Sequence, residues 1–379
     1  VLGVGICPSQ GLKKGVVVDV QSAVEAIATA LHRAEQQSGF KATNAFVGIA
    51  GSHILSTNSH AIVAIRHPDD VVSDEDVARV IDGARVIPLP ADQEILHVVP
   101  HHFVVDGNDG IKDAVGMVGR RLEVEANIVT GSITSIHNLR RCIEQVGVEL
   151  DDLVLEPLAA GRSVLTESER EFGVLVIDMG GGTTDAAVFN DGSVVHACVL
   201  PVGGNQISND LAFGMRTTFP AAEEIKIRYG CTIDRVGQHD EPITLPGYGR
   251  EGGQCVDRHT IAEIIDARLS ETFELLQDQV AQAGYADAYP SGIVLTGGSA
   301  QIAGAVTLAG EIFRVPARLG APRSLTGLAD AVRGPAFATS VGLLSWGGDQ
   351  LGPAAHEHAG GGVGRIGSSL ITWLRNFFG

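Results

Sequence analysis

The sequence predicts an α/β fold with more than one hydrophobic core, and three observations carry that prediction. Two apolar runs of strand length, residues 174–178 (closed by Asp178) and 293–295, each lead into a cluster of glycines, as strands buried on both faces do. Stretches with apolar residues at helical spacing, residues 22–36, 134–146 and 260–282, surround them. A chain of 379 residues, 44% hydrophobic and 19% charged, is long enough to bury two or more cores.

Taken in order, Val24, Ile27, Ala28, Leu31 and Ala34 recur on one face of the first helix, with Asp19 as its N-cap. Residues 45–49 read as a short buried strand ending at Gly51. From Ser52 the texture changes: 54–65 alternates like a half-exposed strand, and Ser73 followed by Asp76 forms a capping box for a helix to about Val86. With strands at 95–105 and 122–128, residues 52–128 make a compact α+β insert. A helix at 134–146 follows, then a strand end entering a helix over 154–165. Three strands (174–178, 186–189, 194–199) form a meander, 260–282 is a long amphipathic helix, and 341–346 closes the folded body. Two Gly runs, Pro353 and two alanines give residues 347–363 linker composition.

The formal net charge is −18, which argues against nucleic acid as a partner. The five cysteines are scattered, so neither a zinc ribbon nor a redox pair is indicated. No apolar run reaches membrane-span length and no signal peptide opens the chain. Val1, Leu2, Val4 and Ile6 read as a strand, and the natural N-terminus is expected to precede Val1. His97, His101 and His102 share a strand region without a nearby acid, which favours a structural role over a metal site. His356 and His358 fall in the linker.

The chemistry concentrates in 174–185. An apolar strand delivers Asp178, then Gly180, Gly181 and Gly182, then Thr183, Thr184 and Asp185. Glycines at positive φ would turn the backbone and present N–H groups to phosphate oxygens. Asp178 would hold Mg²⁺ directly or through water. The run lacks G-K-[ST], so it is no Walker loop. Residues 293–302 repeat the design: strand, Gly297, Gly298, then Ser299 at a helix start, where ribose or adenine would lie against backbone. Glu156, at a strand end before Pro157, is placed to orient a water toward a γ-phosphate.

These three segments, in this order, resemble the actin, heat-shock chaperone and sugar-kinase superfamily. The resemblance implies the actin-like ATPase fold, two α/β domains with ATP and Mg²⁺ in the cleft between them. An N-terminal hairpin that supplies a further phosphate loop in that superfamily has no match here, as expected if it precedes Val1 in the natural chain. Val4-Gly5-Ile6-Cys7-Pro8-Ser9-Gln10-Gly11, Leu96 to Pro100, Gly110 to Met117 and Ala222 to Gly230 further resemble the FtsA family of bacterial cell-division proteins.

That resemblance divides the chain as follows: 1–51 and 129–170 into subdomain 1A; 52–128 into 1C, an SHS2-like insert; 171–212 and 289–346 into 2A with its return to 1A; and 213–288 into 2B. It also implies that Glu223 and Lys226 contact ribose or adenine. It implies that Arg258 and Arg268 in 2B bind the C-terminal peptide of FtsZ. 1C would serve self-association into filaments and contacts with other division proteins. ATP hydrolysis would be weak at most.

Residues 364–379 read as an amphipathic helix that lies in a membrane interface. Ile366, Leu370, Trp373, Leu374, Phe377 and Phe378 form the apolar face, and Arg365 and Arg375 suit anionic lipid. At roughly 22 Å the segment is too short and interrupted to span. Joined with this tail, the resemblance implies a polymer that anchors the FtsZ ring to the cytoplasmic face of the inner membrane at the division site. Two rival readings are a PilM-like type IV pilus adaptor, which lacks such a tail, and a sugar-kinase-type phosphotransferase, for which the sequence offers no catalytic base.

Overall fold

The computed structural model describes residues 1–66, 69–237, 243–245, 254–323 and 325–351. A five-stranded mixed sheet organises the second half of the chain. Its order is Ser193–Leu200, Thr184–Asn190, Val174–Met179, Ile293–Thr296 and Ala317–Leu319, with the first three strands an antiparallel meander and the rest parallel. The central strand is buried throughout because both faces are covered. Leu175, Ile177 and Met179 enter one core with the helices Gly204–Gly214, Phe219–Tyr229, Arg258–Gln282 and Ala305–Phe313. Val174 and Val176 enter a second core shared with the first half of the chain.

The first half is built on the parallel pair Asn44–Ile49 and Glu149–Leu155, flanked by the helices Val20–Ser38, Ile133–Gln145, Glu156–Val164 and Ala338–Leu351. Asp19 caps the first helix through the N–H groups of Gln21 and Ser22, as its sequence predicts. The helix Ala338–Leu351 crosses Glu156–Val164 at Gly342, where a β-carbon would lie 1.8 Å from the Ala159 carbonyl oxygen.

Between the two strands of that pair the chain leaves to form the insert. Its four-stranded sheet has the order Leu55–Ala64, Arg121–Ser132, Gln93–Val105 and Asn108–Ile111, and the helix Asp74–Ala84 covers one face. The predicted Ser73–Asp76 capping box is present. The insert has its own core, centred on Ile81, Leu122 and Ile128, and touches both halves. Nε2 of His97 accepts the Leu155 N–H at 3.1 Å. Asn127 donates to the Val195 carbonyl at 3.3 Å, and Lys112 pairs with Glu171 at 2.7 Å.

Three expectations fail. Residues 1–10 form no strand; Val1 instead bonds Thr326 and Leu328, and Gly3 and Gly5 run against the first helix. The linker does not begin at 347, because 347–351 continue the helix Ala338–Leu351. The end of that helix is fixed: the Trp346 indole N–H donates to Asp152 at 3.2 Å, Gln350 donates to the same carboxylate, and Arg162 pairs with Asp349. Gly297–Gly298 leads into a short 3₁₀ turn, Ser299–Gln301, before a helix forms at Ala305. The membrane residues Arg365, Ile366, Leu370, Trp373, Leu374, Arg375, Phe377 and Phe378 lie outside the described residues. Among the described residues, no helix is long and apolar enough to cross a membrane.

Candidate functional site

Two parallel strands of the large sheet and one strand of the first half end at the site. Met179 closes the central strand, Thr296 the strand beside it, and Leu155 the inner strand of the first half. In open α/β sheets the carboxyl ends of strands are where ligands bind. Asp178 pairs directly with Asp185 across the meander and with Thr296 on its other side. By alternation Asp178 and Asp185 share the face that looks toward the first half, and Glu156 approaches from there.

Glu156 begins the helix Glu156–Val164. Its side chain folds over Gly48, where a β-carbon would lie 3.2 Å from Glu156 Cγ and 3.5 Å from Thr339 Cγ2. The Thr339 hydroxyl donates to Asp178 Oδ2 at 2.6 Å. The Asp178 carboxylate is bounded on its other oxygen by Gly297, whose φ is +90° and whose β-carbon would stand 2.4 Å from Oδ1. Only glycine satisfies both conditions there.

The three acids are electrostatically stressed. Burial raises Asp178 to about 6, against the Thr339 hydrogen bond that lowers it. Burial, then the charge of Asp178, raises Glu156 to about 7. Burial, then the charges of Glu156 and Asp178, lifts Asp185 well above the usual carboxylate range. Asp185 takes one hydrogen bond, from the Thr183 hydroxyl at 2.9 Å, while its Oδ1 is buried without a partner. Buried like charges with an unsatisfied oxygen are a site that a cation would relieve. Among the described residues no three His, Cys, Asp or Glu side chains form a complete metal cage. Asp178 and Asp185, adjacent across the meander and with Asp185 Oδ1 unpartnered, fit the one or two carboxylates that Mg²⁺ takes before water and phosphate oxygens fill its shell.

The glycine turn differs from its expected mechanism. None of Gly180, Gly181 and Gly182 has positive φ. Gly180 spends its N–H on the Thr183 carbonyl at 3.0 Å, and its own carbonyl accepts from Gly204 N at 2.9 Å and the Ser299 hydroxyl at 3.0 Å. The close approach belongs to the next glycine pair, Gly203–Gly204, and a β-carbon on Gly180 or Gly181 would meet its nearest neighbour at 3.3 or 3.7 Å. A β-carbon on Gly203 would stand 2.8 Å from the Gly181 carbonyl oxygen, and one on Gly182 would stand 3.4 Å from Lys14 Cα. Gly181 and Gly298 are exposed. Thr184 takes the opposite side of its strand from Asp185 and donates to the Val202 carbonyl at 2.7 Å, so its hydroxyl faces away from the acids.

Lys226, buried, donates to the Gly204 carbonyl at 2.9 Å and to Glu223 at 2.8 Å, and Glu223 also accepts from the Ser208 hydroxyl. A β-carbon on Gly204 would stand 2.3 Å from Ser299 Oγ and 3.1 Å from Lys226 Nζ. The structure therefore brings Glu223, Lys226 and Ser299 to the glycine turn. Sequence reasoning missed Gly48, Gly203, Gly204 and Thr339, and left Asp185 without a role. Only Gly203–Gly204 carried a signal, a third strand–Gly–Gly–helix transition. Arg258 and Arg268 lie apart, on the long helix. Arg268 is engaged by Asp210 at 2.6 Å and by Glu271.

The family described as "Cell division protein FtsA" matches residues 175–342, and that described as "SHS2 domain inserted in FTSA" matches residues 51–130. The cell division protein FtsA of Pseudomonas aeruginosa is 46% identical over 347 residues, covering 92% of this chain and 83% of its own. That of Escherichia coli is 35% identical over 388 residues, covering 100% of this chain and 92% of its own. Among solved structures, a chain of the PilM–PilN type IV pilus biogenesis complex aligns with a TM-score of 0.62 at 16% identity, covering 90% of this chain and 89% of that one. At that identity the likeness speaks for the fold.

Proposed function

The chain belongs to the FtsA family of cell-division proteins and has the actin-like ATPase fold; from that premise we propose that it binds ATP with Mg²⁺ in the cleft and anchors the FtsZ ring to the membrane. One observation carries the nucleotide part. Two glycine turns, 180–182 and 297–298, converge on three buried acids that repel one another.

In this reading Gly181, Gly182 and Thr183 receive the phosphates, while Gly298, Ser299, Glu223 and Lys226 line the nucleoside side. Asp178 and Asp185 hold the cation. Mg²⁺ when bound neutralises charge on the phosphate oxygens and on these acids. Glu156, raised to about 7, is a base near working pH that orients a water, and turnover is slow at most. Arg258 and Arg268 take the C-terminal peptide of FtsZ, Arg268 by exchanging Asp210. The 364–379 helix holds anionic lipid at the cytoplasmic face of the inner membrane, and filaments multiply that weak hold. The insert serves self-association and later division proteins.

The test is binding of a fluorescent ATP analogue, with vesicle sedimentation beside it. Mg²⁺ should tighten the analogue's binding in the wild type and have little effect in Asp178→Asn. Anionic vesicles should pellet the full chain and leave residues 1–363 in solution. No binding of the analogue would refute the nucleotide assignment, equal wild-type affinity with and without Mg²⁺ the cation assignment, and equal pelleting of both chains the tether.

A further inference from the structure

The reading above leaves Thr339 unused, yet its side chain stands among the acids. It lies on the helix Ala338–Leu351, which packs on the first half, while Asp178 belongs to the sheet of the second. Its hydroxyl meets Asp178 Oδ2 at 2.6 Å, and its methyl lies beside Gly48, the position over which Glu156 folds. The side chain therefore sits between two carboxyls that repel.

We propose that Thr339 is a positioning residue for the cation: it fixes the Asp178 carboxylate in the one orientation that presents Oδ1 to Mg²⁺. The proposal rests on the nucleotide reading of this cleft. A carboxylate on a free Cβ–Cγ torsion rotates through a broad two-fold well. Here Oδ2 is committed to a hydroxyl donor, and Gly297 leaves Oδ1 room but no side chain to bond it. Such outer partners fix the orientation of metal-binding carboxylates and typically carry 10–100-fold in metal affinity. The same hydrogen bond crosses from one half of the molecule to the other.

The experiment measures affinity for a fluorescent ATP analogue in Mg²⁺ and in chelator, and Mn²⁺ binding by electron paramagnetic resonance with the nucleotide present. It compares the wild-type chain, Thr339→Val and Thr339→Ser. The valine keeps the volume and removes the donor; the serine keeps the donor. Thr339→Val should lose about ten-fold or more of the Mg²⁺-dependent gain and of Mn²⁺ affinity, with affinity in chelator unchanged. Thr339→Ser should recover most of both, and thermal melting of all three confirms folding. A valine variant with the full Mg²⁺ gain overturns the proposal. So does one that loses affinity equally with and without metal, since that marks a structural role. A wild-type chain that binds no nucleotide under either condition overturns the nucleotide reading itself, and this inference with it.

Discussion

Leu155 donates its backbone N–H to Nε2 of His97 across 3.1 Å. The bond joins the insert to the residue immediately before Glu156, and it requires His97 to be neutral at Nε2. Replacing His97 by Ala strands a buried N–H and opens space against Trp346, whose ring centroid is 5.7 Å away. Thermal or urea unfolding should show a loss of about 1–3 kcal/mol.

Acid should loosen the same attachment. Burial lowers His97, and lowers His101 from 6.5 to about 4. The unfolded chain therefore binds more protons than the fold between those values, and stability falls as pH drops below about 6.5. Melting curves at about pH 7.5 and about pH 5 should separate. His101→Leu should narrow the gap, and an unchanged gap would count against the assignment.

Removing one acid should stabilise the cation-free protein while damaging its site. Asp185→Asn relieves repulsion among Asp185, Asp178 and Glu156, and the gain should be on the order of 1 kcal/mol in chelator. The same variant should bind the nucleotide analogue more weakly in Mg²⁺. Calorimetric melting and the binding titration together read both signs.

Gly297→Ala should abolish the site without a charge change. At φ +90° a side chain is strained, and the new carbon would stand 2.4 Å from Asp178 Oδ1. Nucleotide affinity should fall ten-fold or more with a stability cost of about 1–3 kcal/mol. Gly348→Ala, whose β-carbon would meet nothing within 4 Å at the far end of the helix Ala338–Leu351, serves as its control.

A second pH response belongs to Glu169, which Arg318 grips through two hydrogen bonds of 2.6 and 2.7 Å. Those bonds and the Thr166 cap outweigh burial and lower its pKa from 4.5 to about 2. Its contribution is complete above about 4.5 and is lost as pH falls toward 2. Arg318→Met should flatten the acid limb of the unfolding profile in that window.

Much of the architecture was readable from residue pattern. The insert announces itself at Ser52 because alternation replaces continuous apolar runs, and the Ser73–Asp76 cap is a local signal that tertiary contacts do not override. The acids were readable as residues but not as a set. Asp178 and Asp185 become neighbours through the meander register, and Glu156 joins them only by packing across Gly48. Thr339 was invisible, since a threonine inside an apolar helix has no local mark of its partner. The glycine turn misled on mechanism: three glycines suggest unusual torsions, yet none has positive φ, and the close approach there is made by Gly203 against the Gly181 carbonyl.

The helix Ala338–Leu351 also fixes where tension enters the molecule. A pull on the chain beyond Leu351 reaches Gln350, Asp349 and Trp346 first, and these are riveted to Asp152 and Arg162 at the base of the first half. His97 of the insert meets the Trp346 ring there. Load is therefore shared between that base and the insert before it travels the length of the helix to Thr339. Such a load would be carried at the foot of the helix and not at the acids beside Thr339.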